Sequence, residues 1–123
     1  MNATAPNLHI DALWETLREH ARLQADNEPV LASFLYATIL NHETLEAAVS
    51  FHLATKLDSP ALPAMLIREV FDEAFAKDKS IGESLRADLT AVNERDSACC
   101  SLVTPLLYFK GFHALQSYRI AHW

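Results

Sequence analysis

Six histidines in a chain of 123 residues invite a metal site. They are His9, His20, His42, His52, His113 and His122. Two imidazoles share a helical face when they stand four residues apart, and no pair here has that spacing. Neither Glu-x-x-His, the ligand pair of di-iron helical bundles, nor His-Glu-x-x-His occurs. Scattered surface and boundary histidines are the plainer reading, with no metal ligands assigned. Cys99 or Cys100 could supply a nucleophile. Neither has a histidine close in sequence, so loop or half-buried thiols are favoured over catalysis. Gly-x-Ser-x-Gly is absent, and two glycines could hardly build a phosphate-cradling loop. Glu69, Asp72 and Glu73 read as a solvated helix face, with Arg68 offsetting Asp72 and Lys77 pairing with Glu73. Asp96 offers more. It follows Arg95 where a helix gives way to a loop, so its carboxylate faces unpaired helix-end carbonyls, a poor place for a structural acid. The position suits an acid whose partner comes from elsewhere, such as a ligand's ammonium group. On the residues alone, a solvated loop acid is the simpler reading.

The elements that must position these groups are helical. Ile10, Leu13, Trp14, Leu17 and Ala21 recur at helical spacing and predict a first helix from about Asp11 to Asp26, with Glu15–Arg18 and Glu19–Arg22 pairs on its wet side. Asn27 can cap and Pro29 fits a first turn, so a second helix runs from about Glu28 to Leu40 with Val30, Leu31, Phe34, Leu35, Ile39 and Leu40. A third covers about Glu43 to Leu57, its inner face Leu45, Ala48, Val49, His52, Leu53 and Leu57. Pro60 and Pro63 force a turn before a fourth helix at about Ala61 to Ala76, with Leu66, Val70 and Phe71 facing in. Ser80-Ile-Gly-Glu83 has the form of a capping box for a fifth helix ending near Arg95. The last helix opens at Thr104, an N-cap, and Pro105, and runs to Trp123. Leu107, Gly111, Ala114, Tyr118 and Ala121 line one of its faces. Tyr108, Phe112 and Leu115 line the next, and His113, Gln116 and Arg119 are among the few polar positions. So apolar a helix must be covered on most sides. Gly111 costs about 1 kcal/mol against Ala, which implies a close approach to its backbone.

No segment alternates with period two and every connection is short. The expectation is all-α, a bundle of about six helices. Residues 1–10 read as a flexible lead-in and 11–123 as one helical domain. A chain of this length can bury roughly two thirds of its unfolded surface, enough for a core. The formal charge of −6, without a basic cluster, argues against nucleic-acid binding. No apolar run approaches bilayer length, so no membrane partner is expected. Met1 to Asn7 lacks the basic and apolar regions of a signal peptide. Adjacent Cys99 and Cys100 would make a strained bridge, so a reducing, cytoplasmic setting is expected.

The segment Pro105-Leu-Leu-Tyr-Phe-Lys-Gly-Phe-His-Ala-Leu-Gln-Ser-Tyr-Arg-Ile-Ala-His122 resembles the stretch leading into the catalytic domain of serine O-acetyltransferases. Trp14 to Arg22, Glu28 to Ser33 and Leu35 to His42 are similar to that family's opening helices. Ala54-Thr-Lys-Leu57 with Ser59-Pro60, Ile67 to Val70 and Asp88 to Asp96 also match. The likeness begins near residue 8, and its Lys-Gly-Phe-His and Arg-Ile-Ala-His patterns are specific.

The resemblance implies a helical N-terminal domain that assembles subunits as a homo-oligomer. It also implies an enzyme that moves acetyl from acetyl-CoA to L-serine, giving O-acetylserine for cysteine biosynthesis. In the family, the catalytic histidine and the acetyl-CoA groove belong to a left-handed β-helix of hexapeptide repeats. No such repeat occurs in these residues. No catalytic residue and no cofactor-binding residue is therefore assigned, and His113 and His122 are not the catalytic histidine. The fragment alone is expected to be inactive. O-Acetylserine sulfhydrylase, the family partner, docks on a C-terminal tail absent here. Asp96 carries over as the substrate-binding residue, because Arg95-Asp96 matches the Arg-Asp-Pro-Ala pattern whose Asp contacts serine or the inhibitor L-cysteine. Ser97 replaces the proline, which loosens the loop and leaves the carboxylate chemistry intact. A stand-alone helical interaction module without an enzyme half is the alternative reading.

Overall fold

A computed structural model describes residues 11–95 and 101–123. Among these residues there are seven α-helices and no strand, as the missing period-two pattern requires. Helix α1 is Ala12–Asn27, α2 Ala32–Leu35, α3 Leu45–Leu57, α4 Ala64–Lys77, α5 Lys79–Arg95, α6 Val103–Tyr108 and α7 Lys110–Ala121. Among the described residues no helix is long and apolar enough to cross a membrane.

Local chemistry sets most boundaries. The Asp11 carboxylate accepts from Trp14 N–H at the start of α1, and Thr44 Oγ1 accepts from Ala47 N–H at the start of α3. Both satisfy donors that a helix start leaves unpaired. The second helical stretch is irregular. Pro29–Leu31 is a 3₁₀ turn, α2 lasts one turn, and Tyr36–Leu40 is a π turn. There, Asn41 N–H reaches back five residues to Tyr36 O at 2.9 Å. Helix α1 holds the following turn in place. Trp14 Nε1 donates to Glu43 O at 3.0 Å. Arg18 donates to Leu40 O and His42 O at 3.1 and 2.7 Å, with its guanidinium over the Trp14 ring.

The core joins Leu17 of α1, Leu35 and Ile39 of the second stretch, Leu45 and Val49 of α3, Leu85 and Leu89 of α5, and Leu106 and Leu107 of α6. Each such fully buried aliphatic side chain is worth about 1.5–3 kcal/mol over exposure. Helices α3 and α4 pack as a hairpin, and α5 packs on α6 and α7.

Several expectations are corrected. Arg18 turns to the two carbonyls rather than to Glu15, because carbonyls that end a helix need donors more than a solvated carboxylate does. The Glu19–Arg22, Arg68–Asp72 and Glu73–Lys77 pairs form as read. The inward face of α4 is Ile67, Phe71, Ala74 and Phe75, while Leu66 and Val70 are half exposed. This helix has two apolar stripes, and only the one facing α3 is covered. Leu57 likewise lies outside the core. Asp78, not Ser80, caps α5. Its carboxylate accepts from the Ser80 N–H and hydroxyl at 3.0 and 2.6 Å.

The largest correction is at the last helix, which is two. The backbone at Phe109 is extended, and α7 restarts at Lys110. Thr104 lies inside α6, and Ser101 Oγ accepts from Val103 N–H instead. The break resets the helical phase. Phe112, His113, Gln116 and Ile120 point in, and Gly111, Ala114, Leu115, Tyr118 and Ala121 point out. A Cβ on Gly111 would meet nothing within 4 Å, so no close approach repays that glycine in this chain.

Candidate functional site

Asp96, Cys99, Cys100 and His9 lie outside the described residues. What is described is the frame on both sides of positions 96–100. On one side, α5 ends at Arg95. Two turns earlier, the Asp88 carboxylate accepts from Gln116 Nε2 at 2.8 Å and from the Arg119 guanidinium, both on α7. On the other side, Leu102 N–H donates to His20 Nδ1 of α1 at 3.2 Å, which leaves the ring proton on Nε2. Positions 96–100 thus run between an end tied to α7 and an end tied to α1.

The break at Phe109 builds a second polar cluster. The carbonyls of Leu106 and Leu107 are among the last of α6, which helix geometry leaves without donors. In one continuous helix they would accept from Lys110 and Gly111. Here His113 of α7 meets Leu106 O at 2.7 Å, and His52 of α3 meets Leu107 O at 3.0 Å. A carbonyl only accepts, so each ring donates from Nε2. Both residues are buried. Their rings meet edge-on, centroids 5.3 Å apart, walled by Val49, Leu53, Leu106 and Phe112 with no room for a water molecule. Burial pushes both pKa values below the usual 6.5. The carbonyl bonds oppose this, and the Lys56 charge adds to it. His42 is also lowered, chiefly by burial, while its bond to Ala37 O resists.

A third cluster lies at a half-exposed rim. Arg86 of α5 donates to the Asp11 carboxylate at 3.0 Å, to both Glu46 oxygens at 2.7 and 3.0 Å, and to Gly82 O at 3.0 Å. Its guanidinium pKa is raised, mainly by Glu46 and then by Asp11, against the effect of burial. A Cβ on Gly82 would stand 2.5 Å from Glu46 Oε2, so glycine makes room for this tie. The groove beside it, about 740 Å³, is lined by Asp72, Lys79 and Glu83 as well as these ion-paired groups. It holds no histidine or thiol. Among the described residues no three His, Cys, Asp or Glu side chains gather as a metal site.

The family model for the N-terminal part of serine acetyltransferases matches residues 13–117. The chain belongs to the serine acetyltransferase family. Serine acetyltransferase of Escherichia coli K12 is 52% identical over 114 residues, covering 93% of this chain and 42% of that protein. The solved serine acetyltransferase of Neisseria gonorrhoeae in complex with serine is 45% identical, with a TM-score of 0.86. That match covers 94% of this chain and 47% of that one. A solved serine acetyltransferase in complex with cysteine is 48% identical, TM-score 0.87, covering 90% and 46%. The chain therefore spans less than half the length of these serine acetyltransferases, and the match lies on the helical part.

Sequence reading missed the His52–His113 meeting, because the two stand far apart in the chain and no spacing rule connects them. It also placed His113 and Gln116 among the polar positions of a single helix. Their burial follows from the break at Phe109, whose nearest signal was Gly111 two residues on.

Proposed function

We propose that this chain is the assembly and substrate-contact domain of a serine O-acetyltransferase that acts in the cytoplasm. In this reading Asp96 reaches the active site and supplies the anion that binds the ammonium group of serine, or of cysteine as inhibitor. A fixed ammonium orients the hydroxyl for attack on the acetyl group of acetyl-CoA, whose groove belongs to the other domain. The observation that carries the reading is the family match over 13–117, which includes the Arg95-Asp96 pair where α5 ends. The Asp88 and His20 ties favour it, since a carboxylate that must reach a substrate needs anchored ends.

Self-association fits the outward apolar residues. Val30 is 90% exposed and Met65 74%, with Leu66 and Val70 of α4 and Leu115 and Tyr118 of α7 half exposed. Exposed apolar area of this kind calls for cover. The sulfhydrylase partner is assigned to a tail outside these 123 residues.

A chimera tests the proposal. Residues 1–123 replace the matching part of the Escherichia coli relative, and serine-dependent release of CoA is followed. The expected result is turnover within about tenfold of the parent, with none from the 123-residue chain alone. A chimera that folds and assembles but leaves serine unacetylated would overturn it.

A further inference from the structure

We propose that His52 and His113 form an acid-sensitive staple: neutral, they hold α3, α6 and α7 together at the Phe109 break, and protonated they release them. The geometry carries this. Two helix-end carbonyls with no helical donor each take one imidazole N–H, from two different helices. The rings touch, and no water fits between them and their apolar walls. An imidazolium here would keep its carbonyl bond but gain a charge with no counter-ion. The groups that act on the pair are Lys56, a turn along α3, and the other ring, and both repel a new positive charge. Helix α6 brings no acid. On α7, Lys110 is a further cation three residues before His113, and Arg119 is committed to Asp88. The α5 acid that meets α7, Asp88, is likewise held by Gln116 and Arg119. On α1, His20 is occupied with Leu102 N–H.

The sign follows from linkage. An unfolded histidine takes its second proton near pH 6.5, whereas the folded pair resists it. Below 6.5 the unfolded chain therefore binds more protons, and stability falls as pH falls. Above 6.5 the contribution is fully present. Release would free α7, and with it the Gln116 and Arg119 partners of Asp88.

The test uses the whole 123-residue chain. Histidine ring protons are followed by NMR from about pH 8 to 5, and the unfolding midpoint in urea is measured over the same range. The expectation is that two imidazoles titrate below 6.5, or only as the chain opens. The folding constant should fall by up to about tenfold per pH unit per histidine. In the His52→Gln/His113→Gln double variant each amide can still donate to its carbonyl but cannot titrate, so the acid slope should shrink by the share of these two rings. Hydrogen-exchange protection at 106–113 should drop in acid before that of α1. If both rings titrate at 6.5 or above with the fold intact, the staple does not exist. An unchanged acid slope in a folded double variant would overturn it as well. Should that variant not fold, the wild-type titration decides alone.

Discussion

Two points along α3 are tied down in opposite ways. In its first turn, Glu46 shares the Arg86 guanidinium with Asp11 at a half-open rim. Nearly two turns on, His52 holds a backbone carbonyl in a dry interior beside His113. At the rim, water screens the charges, and an arginine that never loses its proton can be spent on carboxylates. In the interior an unpaired charge is too costly, so a neutral imidazole fills the carbonyl. The rim therefore joins α1, α3 and α5 at any physiological pH. The interior joins α3, α6 and α7 only while its histidines stay neutral. The condition-dependent junction shares α7 with the Asp88 tie.

Substitutions can separate the two. His113→Leu keeps the bulk but leaves Leu106 O without a donor in a dry site, which costs about 2 kcal/mol. Urea unfolding should show that loss at pH 7.5, with a shallower acid slope than wild type. A loss below about 0.5 kcal/mol would mean that the carbonyl finds another donor. Arg86→Met should cost less, roughly 1 kcal/mol, because a rim network is screened and its carboxylates can turn to water. Its unfolding midpoint should also become less salt-dependent, which His113→Leu should not change. If Arg86→Met proved the more damaging of the two, the contrast between rim and interior would be wrong.

How much of this was legible in the chain depends on where the information sits. The start of α1 could be read from the helical spacing of Ile10, Leu13, Trp14, Leu17 and Ala21, and Asp11 caps the helix there. The break at Phe109 could not. No proline stands there, and what compensates it comes from His52, fifty-five residues away from the carbonyl it serves. Periodicity found α4 but turned Leu66 and Val70 inward with Phe71, where the buried stripe is Ile67, Phe71, Ala74 and Phe75. The choice is made by α3, not by α4. Asp96 shows the converse. Its residues alone favoured an ordinary loop acid, and only the likeness to serine acetyltransferases gave the carboxylate a task.

Asp96→Asn, made in the chimera, tests that task most directly. The side chains are nearly isosteric, so thermal unfolding should move by no more than about 0.5 kcal/mol. One charge-assisted hydrogen bond to the substrate ammonium is worth about 1.5–3 kcal/mol, so kcat/KM for serine should fall roughly ten- to a hundredfold. Cysteine inhibition should weaken in parallel, and KM for acetyl-CoA should stay within about twofold. If serine dependence and cysteine inhibition both matched the parent in a chimera of unchanged stability, Asp96 would be an ordinary loop acid and the substrate-contact role would fall.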